Sequence, residues 1–461
     1  MGDQNSKEAL QFKRMTETPV SRLILSMSGP MIVSVLITAI YHTADAFFVS
    51  QLGTSASGAV GIVFSMMALI QAVGFALGMG TSSLISRKLG KREVEAACIF
   101  GTSAFFAAIC YGLLFMVVGL LTLDDFMVLL GSTPTILPYA RSYAAIILCG
   151  APIMCASFVM NNILRAEGKA TFSMIGLSVG GVLNVVLDPI LIFYMDMGAP
   201  GAALATVISQ CFSFTMLFQF FIRKKSITRL SPRYLSFKLS TYGSIIKIGC
   251  PSLFRQGLSS FSTVLLNVCA AGYGDAAVAA MSIVTRVAMT MGAVMLGIGH
   301  SFMPVCGYNY GAGIYRRVKE SWIFTVKFGF AMLFITSTLM MIFAPDIVRA
   351  FRNDPAVIEI GTRALRWRAV FLPFHAFIIG TNMMMQSTGQ AGKAAFLACN
   401  RQGIFFIPLI CILSSVLGLR GVEMSQACSD FLSALVAIPF ALAFFRSLTL
   451  KENKVDKPVS R

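Results

Sequence analysis

Two carboxylic acids stand inside apolar segments in the first half of this 461-residue chain, Asp45 and Asp188. Asn184 precedes Asp188 by four residues, so on a helix the two side chains share one face. Pro189 follows directly, and because it has no N–H it leaves one backbone carbonyl without its usual partner. A charge inside a membrane is costly and needs a functional or structural reason. An acid, an amide oxygen and a spare carbonyl together predict a site for a proton or a small cation.

Asp45 has an aromatic neighbour on the same helix face. Tyr41 precedes it by four residues, about one helical turn, and we place this tyrosine on the path of a substrate that passes the acid. The alternative is that Asp45 and Asp188 are interfacial residues near helix ends. Asp188 lies about six residues, or roughly 9 Å, inside its apolar segment, and this depth favours a buried site.

The apolar segments of the second half carry a different set of charges. Their ionisable residues include three arginines, Arg255, Arg286 and Arg401, and one acid, Asp430. Since charges inside membranes usually pair, the leading interpretation is that Asp430 pairs with an arginine and joins two helices. Gln386 closes a run of three methionines, and adaptable methionine surfaces suit varied ligands. The candidate substrate path therefore comprises Tyr41, Arg255, Arg286, His375, Gln386, Arg401 and Asp430.

The elements that position these residues come from an internal duplication. Pro30 matches Pro251 and Gly53 matches Gly274, each at an offset of 221 residues, and the offset is 220 from Gly198 onward. Duplicated apolar halves with a binding path between them are typical of secondary transporters. The duplication alone therefore favours a transporter.

Each half contains six apolar segments that can cross a membrane, for which roughly 20 residues are needed. Because six is even, the second copy has the orientation of the first. The sequence predicts an all-α integral membrane protein with twelve transmembrane helices in two parallel six-helix bundles, related by a pseudo-two-fold axis along the membrane normal. We assign 1–222 to a first lobe, 223–242 to a cytoplasmic linker and 243–461 to a second lobe with a basic tail. The predicted segments are 22–49, 56–84, 96–121, 140–163, 171–194, 200–222, 243–271, 276–303, 321–343, 358–386, 394–417 and 421–446.

Composition and charge placement agree with a membrane protein. The chain is 56% hydrophobic and 12% charged, with a mean hydropathy of +0.77, whereas soluble proteins carry about 25% charged residues. The net charge of +17 lies in short basic clusters after the even-numbered segments and in both tails. This pattern places both termini on the cytoplasmic side of the plasma membrane and argues against nucleic-acid binding. One loop breaks the pattern, and for its arginines we consider an interfacial helix: Arg349, Arg352, Arg363, Arg366 and Arg368.

The sequence contains no motif for catalysis or for a cofactor. Its three histidines are far apart and its eleven cysteines include no CxxC pair, so no spacing indicates a metal site. There is also no nucleophile triad and no nucleotide-binding loop. We expect neither an enzyme nor a bound cofactor, and the only ion to consider is H⁺ or Na⁺ at Asp45, Asn184 and Asp188.

The chain resembles the multidrug and toxic compound extrusion (MATE) transporters, nearer the DinF/MepA-like branch. Four stretches in this order carry the resemblance over essentially the whole length: 43–49 around Asp45 with the following Leu52-Gly53, Leu164–Gly168, Asn184–Pro189 and Pro304–Ala312. The NorM-like branch differs because it binds its cation through acids of the second lobe. In this sequence the seventh and tenth segments offer Gln256 and no acid at that place.

This resemblance implies a function and a set of site residues. Residues that match Asp45, Asn184 and Asp188 bind the coupling H⁺ or Na⁺ in this branch, and three further residues resemble the rest of that polar network by position: Tyr143, Asn161 and Thr206. The implied activity is antiport by alternating access, which exports small cationic amphipathic drugs. We expect a monomer in the lipid bilayer. The competing interpretation is a flippase for lipid-linked sugars or lipids, since basic cavities suit anionic substrates.

Overall fold

The computed structural model describes the backbone of residues 2–455, and within that range all side chains except those of residues 2–5, 7, 46, 54–57 and 454–455. Every regular element in this part of the chain is helical. The α-helices are α1 Gly2–Glu17, α2 Val20–Ser50, α3 Thr54–Gly90, α4 Val94–Leu121, α5 Leu123–Leu129, α6 Leu137–Ala166, α7 Ala170–Pro189, α8 Gly198–Ile222, α9 Leu239–Ala271, α10 Asp275–Gly311, α11 Tyr315–Ile342, α12 Ala344–Phe351, α13 Pro355–Phe371, α14 His375–Ser387, α15 Ala391–Cys399, α16 Phe406–Leu417 and α17 Leu419–Val455.

Eleven helical stretches in the described residues are long and apolar enough to cross a membrane. The remaining predicted segment, 243–271, lies in α9, which is 33 residues long. This helix is less apolar than the others because Lys247, Arg255 and Gln256 interrupt it. With α9 included, each repeat supplies six spans, so the predicted all-α architecture is confirmed.

The chain divides into two compact units. Unit 1 comprises Met1–Arg14 and Gly29–Gly249, and unit 2 comprises Met15–Ser28 and Cys250–Arg461. In both repeats the division falls one residue before the matched prolines Pro30 and Pro251. Proline has no backbone N–H, so each of these helices lacks one backbone hydrogen bond near the division.

The core of unit 1 is built around α6. This helix packs against α3, α4, α7 and α8, and nearly all of its second half is buried. Its small residues, such as Gly150 and Ala151, allow these close approaches: a Cβ at Gly150 would lie 2.9 Å from Val207 of α8. In unit 2 the matching span is α13 and α14, which pack on α10, α11 and α17. They are separated by a 3₁₀ turn, Leu372–Phe374, that contains Pro373.

The fifth span of each repeat contains a π turn. In unit 1 it runs Ile190–Tyr194 directly after Pro189, and in unit 2 it runs Asn400–Phe405 between α15 and α16. π turns inside α-helices are rare and are frequent at functional sites. In this protein one follows Asp188 and the other contains Arg401.

The predicted linker is attached to unit 1 by a buried carboxylate. Glu167 is fully buried, and its side chain accepts hydrogen bonds from the Ser226 hydroxyl at 2.6 Å and from the backbone N–H groups of Ile227 and Thr228 at 2.9 and 2.7 Å. Lys169 pairs with the same carboxylate at 2.9 Å. The beginning of the linker is therefore a fixed part of unit 1, and α9 starts after a short 3₁₀ turn at Pro232–Tyr234.

The structure explains the arginines that break the charge pattern. Arg349 lies on the eight-residue helix α12, which stands where we considered an interfacial helix, and Arg352 follows it. Arg363, Arg366 and Arg368 lie on α13, inside a predicted span and not in a loop. Two of these three pair with acids of α17, as described below, so they belong to the interior of unit 2.

Candidate functional site

A polar cluster in unit 1 joins α7 to α8. Asp188 is fully buried at the end of α7, and Asn184 lies one turn before it. The Asn184 amide Nδ2 donates to Asp188 Oδ1 at 3.2 Å and to Thr206 Oγ1 of α8 at 3.3 Å. The shared face predicted for Asn184 and Asp188 is thus present, and Thr206 is part of the same network.

Several oxygen atoms of this cluster are buried without a hydrogen-bond partner. They are Asp45 Oδ1, Asp188 Oδ2, Asn184 Oδ1 and the Tyr143 hydroxyl, which lies toward Thr206 without hydrogen-bond geometry. Asp45 and Asp188 interact electrostatically with each other and with Tyr143. A buried polar atom without a partner costs about 1–3 kcal/mol. A proton or a hard cation such as Na⁺, which prefers oxygen ligands, would satisfy several of these atoms at once.

A glycine brings α2 close enough to place its acid in this cluster. A Cβ at Gly181 of α7 would lie 2.8 Å from Ile37 and 3.5 Å from the Tyr41 ring, both on α2. Any larger residue would therefore separate the two helices. The contact fixes Tyr41 beside α7 and Asp45 one turn further along α2. Tyr41 also interacts electrostatically with Asp45 and Tyr143.

The structure does not bring Asn161 into this cluster. Its Nδ2 donates to the backbone carbonyl of Ser173 at 3.0 Å, at the turn between α6 and α7. Asn161 and Tyr143 are both on α6, and their separation of 18 residues corresponds to roughly 27 Å. In the second repeat, Asn382 donates to the Ala394 carbonyl at 2.7 Å, which is the same bond at the offset of 221 residues. The duplicated bond indicates that Asn161 holds a helical hairpin together.

Asp430 is the centre of the charged cluster in unit 2. It is fully buried and lies 2.6 Å from Arg401 Nε, 3.4 Å from an Arg368 nitrogen and 3.4 Å from His375 Nε2. The pairing of Asp430 with Arg401 agrees with the interpretation drawn from the sequence. Arg368 was missed as a partner because the sequence analysis grouped it with a loop. Its position inside the predicted span 358–386 was the sequence feature that indicated a place on a helix.

A second acid of α17 has its own arginine. Glu423 is buried and accepts from Arg363 Nη2 at 3.0 Å and from Arg363 Nε at 3.3 Å, while Arg363 also contacts Glu359 at 2.7 Å. A bidentate arginine–carboxylate pair fixes both distance and orientation. Glu423 is not recognisable from the sequence, because it lies near the end of an apolar segment, where acids are common.

Unit 2 contains a cavity of about 210 Å³ next to these groups. Arg255, His375 and Arg401 of the predicted substrate path line it, together with Gln256, Arg368 and Glu423. Arg255 donates to Asn382 Oδ1 at 3.1 Å. Asp430 lies behind the arginines and is not itself a lining residue.

Two other residues of the predicted path lie outside this cavity. Arg286 is exposed on α10. Gln386 is buried and donates to the Ser252 hydroxyl at 2.8 Å, which connects α14 to α9. Tyr41 belongs to the unit 1 cluster. The residues of the predicted path thus belong to both units, and within unit 2 only Arg255, His375 and Arg401 line the cavity.

Metal ligands of other kinds do not cluster. Among the residues whose side chains are described, no group of three or more histidine, cysteine, aspartate or glutamate side chains is arranged to hold a metal ion. The unit 1 cluster has two carboxylates and neutral oxygen donors, a set that suits a proton or an alkali cation better than a transition metal.

The fold and these buried ionisable clusters define a multi-pass membrane transporter. A family model described as MatE matches the chain twice, over residues 30–190 and 251–417, once in each repeat. The chain belongs to the MatE family, whose members are transporters and not enzymes. The matches begin at Pro30 and Pro251, which supports the duplication seen in the sequence.

Relatives of known name and structure agree with this assignment. The chain is 27% identical over 448 residues to the multidrug export protein MepA of Staphylococcus aureus, covering 96% of this chain and 98% of the relative. It matches an outward-facing structure of a multidrug resistance MATE transporter with a TM-score of 0.90 and 27% identity, covering 94% and 98% of the two chains. A MATE structure in a bent conformation gives a TM-score of 0.89 at 27% identity, covering 95% and 98%. The resemblance to the MepA-like branch is thereby confirmed.

Proposed function

We propose that this protein is a multidrug efflux antiporter of the cytoplasmic membrane. It exports cationic amphipathic compounds in exchange for H⁺ or Na⁺, as a monomer with both termini in the cytoplasm. The name of the MepA relative supports multidrug export. The observation that carries the coupling proposal is the buried unit 1 cluster, in which Asp45, Asp188 and Tyr143 have oxygen atoms without partners.

The coupling follows from what these oxygen atoms can bind. With both acids ionised, the cluster holds two negative charges away from water, a state that a bound proton or Na⁺ stabilises. A cationic substrate and the coupling ion would then compete for the same negative charge. A ligand shifts a conformational equilibrium only by its differential affinity for the two states. Release of the substrate outside therefore requires that the ion binds more tightly in the state open to the outside.

The available driving force is sufficient for useful export. One charge that moves inward across 100 mV supplies about 2.3 kcal/mol, which corresponds to roughly fiftyfold accumulation. Related MATE structures carry names that describe outward-facing and bent conformations. These support alternating access for this chain, with the two repeats, 1–222 and 243–461, as the moving lobes and 223–242 as their connection.

The experiment compares Asp188→Asn and Asp45→Asn with the wild type in everted membrane vesicles. We expect ethidium transport to fall at least about tenfold in each variant, because the amide cannot exchange a proton or compensate a cation. Asp125→Asn changes an exposed acid outside the cluster and is the matched control. Transport that is normal in both cluster variants would refute their coupling role. An imposed pH gradient and an imposed Na⁺ gradient, applied separately, identify the ion.

The arginines of unit 2 favour one second candidate, a flippase for lipid-linked sugars or lipids. The two functions differ in a simple cellular result. Cells that express the protein should resist ethidium if it is a multidrug exporter, whereas a flippase would leave their sensitivity unchanged.

A further inference from the structure

The cavity of unit 2 has more positive than negative charge around it. Its lining includes three arginines, Arg255, Arg368 and Arg401, and one carboxylate, Glu423. Glu423 and the neighbouring Asp430 are already paired with arginines. His375 is also close to Asp430, at 3.4 Å. The described ionisable groups that line the cavity, or pair with its lining residues, are Arg255, Arg363, Arg368, Arg401, Glu423, Asp430 and His375.

Among the residues whose side chains are described, Arg255 is the cavity arginine that has no acidic partner. Glu423 is taken by Arg363, and Asp430 is shared by Arg368 and Arg401. The hydrogen bond that Arg255 makes in the structure goes to a neutral amide oxygen, that of Asn382, at 3.1 Å. A guanidinium has five N–H donors and is always charged. A charge in the middle of a span that no acid compensates is not explained by helix pairing, so it calls for an anionic partner from outside the chain.

The cavity beside Arg255 has the size and walls for one end of an amphipathic molecule. Its volume of about 210 Å³ exceeds the roughly 150 Å³ that admits benzene and is below the roughly 300 Å³ at which drug-sized pockets begin. Leu266, Met281 and Leu296 provide apolar surface. Gln402, another lining residue, has a buried side-chain oxygen without a partner, which can accept a hydrogen bond from a ligand.

We propose that this cavity binds the anionic end of an amphipathic ligand, a carboxylate or a phosphate, with Arg255 as its main charged partner. The planar guanidinium suits both groups because it can donate two parallel hydrogen bonds. If the protein is the proposed exporter, this site extends its substrates from cations to zwitterions and anions, and that extension rests on the proposed function. The binding itself requires no transport.

A pair of fluorescent probes that differ in one carboxylate tests this site directly. Dansylglycine is an anion, and its methyl ester is the same molecule without the charge. Binding of each to the purified full chain in a neutral detergent without added lipid is followed by fluorescence anisotropy. We expect the wild type to bind the acid at least about tenfold more tightly than the ester, the gain typical of a charge-assisted hydrogen bond.

Variants of α9 and α13 assign the preference to one arginine. Arg255→Gln should remove the preference for the acid. Arg255→Lys should retain part of it, because lysine keeps the positive charge but cannot donate two parallel hydrogen bonds. Arg366→Gln removes an exposed arginine of the same unit and should behave as the wild type. Equal affinity of the wild type for both probes, or a preference that survives Arg255→Gln, would overturn the proposal.

Competition on the wild type needs no variant and separates the sources of the anion. Inorganic phosphate should displace dansylglycine and leave the ester bound, and failure to do so would contradict the site. Displacement by phosphatidylglycerol and not by phosphatidylcholine identifies a lipid headgroup as a ligand, whereas displacement by phosphate alone indicates small soluble anions. Ethidium transport by the same protein after reconstitution into sealed vesicles shows separately whether the proposed antiport holds.

Discussion

The two repeats have the same helices and opposite chemistry at matched positions. Asp45 of unit 1 corresponds to Leu266, and with either offset Asp188 corresponds to Leu409 or Pro408. In the other direction, the basic residues of unit 2 correspond to small or apolar ones. Arg255, Arg368, His375 and Arg401 match Ser34, Ile147, Met154 and a glycine at 180 or 181. The duplication therefore supplied a scaffold, and the two copies carry different ionisable residues at these matched positions.

The buried acids of the two units differ in what surrounds them. Asp430 has three basic side chains within 3.4 Å, whereas Asp188 is bonded only to a neutral amide, at 3.2 Å. A carboxylate held by arginines stays ionised and joins helices. A carboxylate whose neighbours are a neutral amide and a second acid can bind a proton or a cation. Burial alone therefore does not identify a coupling residue. The charge of the neighbouring side chains distinguishes it from a structural acid.

The largest expected effect is on stability and separates these two acids. Asp430→Asn leaves Arg368 and Arg401 buried without a counter-charge and should cost about 3–5 kcal/mol. Asp188→Asn removes a buried acid that has no basic partner and should leave the stability equal to or above that of the wild type. Thermal unfolding in detergent measures both. A similar loss of stability in both variants would abolish the distinction between the units.

A smaller effect is expected at the linker, which only the first repeat carries. Glu167→Gln converts a carboxylate that accepts from Ser226, Ile227 and Thr228 into an amide and should cost about 1–3 kcal/mol. The beginning of the linker should then be cleaved faster by trypsin at Arg223 and nearby lysines. Glu93→Gln affects only an exposed pair with Lys88 and is the control. Unchanged proteolysis would show that the linker is held by other contacts.

The smallest effect concerns the duplicated asparagine bond. Asn161→Ala and Asn382→Ala should each destabilise the protein by about 1 kcal/mol, the value of one hydrogen bond. Ethidium transport and its ion dependence should survive Asn161→Ala, because this residue lies roughly 27 Å along α6 from Tyr143. If Asn161→Ala abolished coupling as Asp188→Asn is expected to do, the resemblance would have been the better guide to its role.

The sequence predicts the architecture well because apolar length and repetition are properties of the chain itself. Twelve spans, the parallel repeat and the Asn184–Asp188 face need only residue spacing and the helix period. The unit 1 cluster also follows in part, since Asp45 and Asp188 are rare acids in apolar segments. These predictions need only the spacing of residues along the chain, and they do not require knowledge of contacts between helices.

The burial and the partners of single side chains depend on helix rotation and on contacts between helices, which the sequence does not give. Arg286 is exposed and Arg368 is largely shielded, with 12% of its side chain exposed, although both are arginines in apolar segments. A helix that is apolar on all sides gives no indication of which face meets its neighbours. Asn161 was assigned by resemblance, and the helix rise of 1.5 Å per residue already places it far from Tyr143.

The π turns beside both sites have an evolutionary consequence. Each adds one residue to a turn of a span without breaking it, so a single-codon insertion can shift the later part of the helix by about 100°. Deleting one residue within Ile190–Tyr194 or Asn400–Phe405 would reverse that rotation and present a new set of side chains to the interior. Such a deletion would change the side chains that face the interior and would preserve the number of membrane crossings.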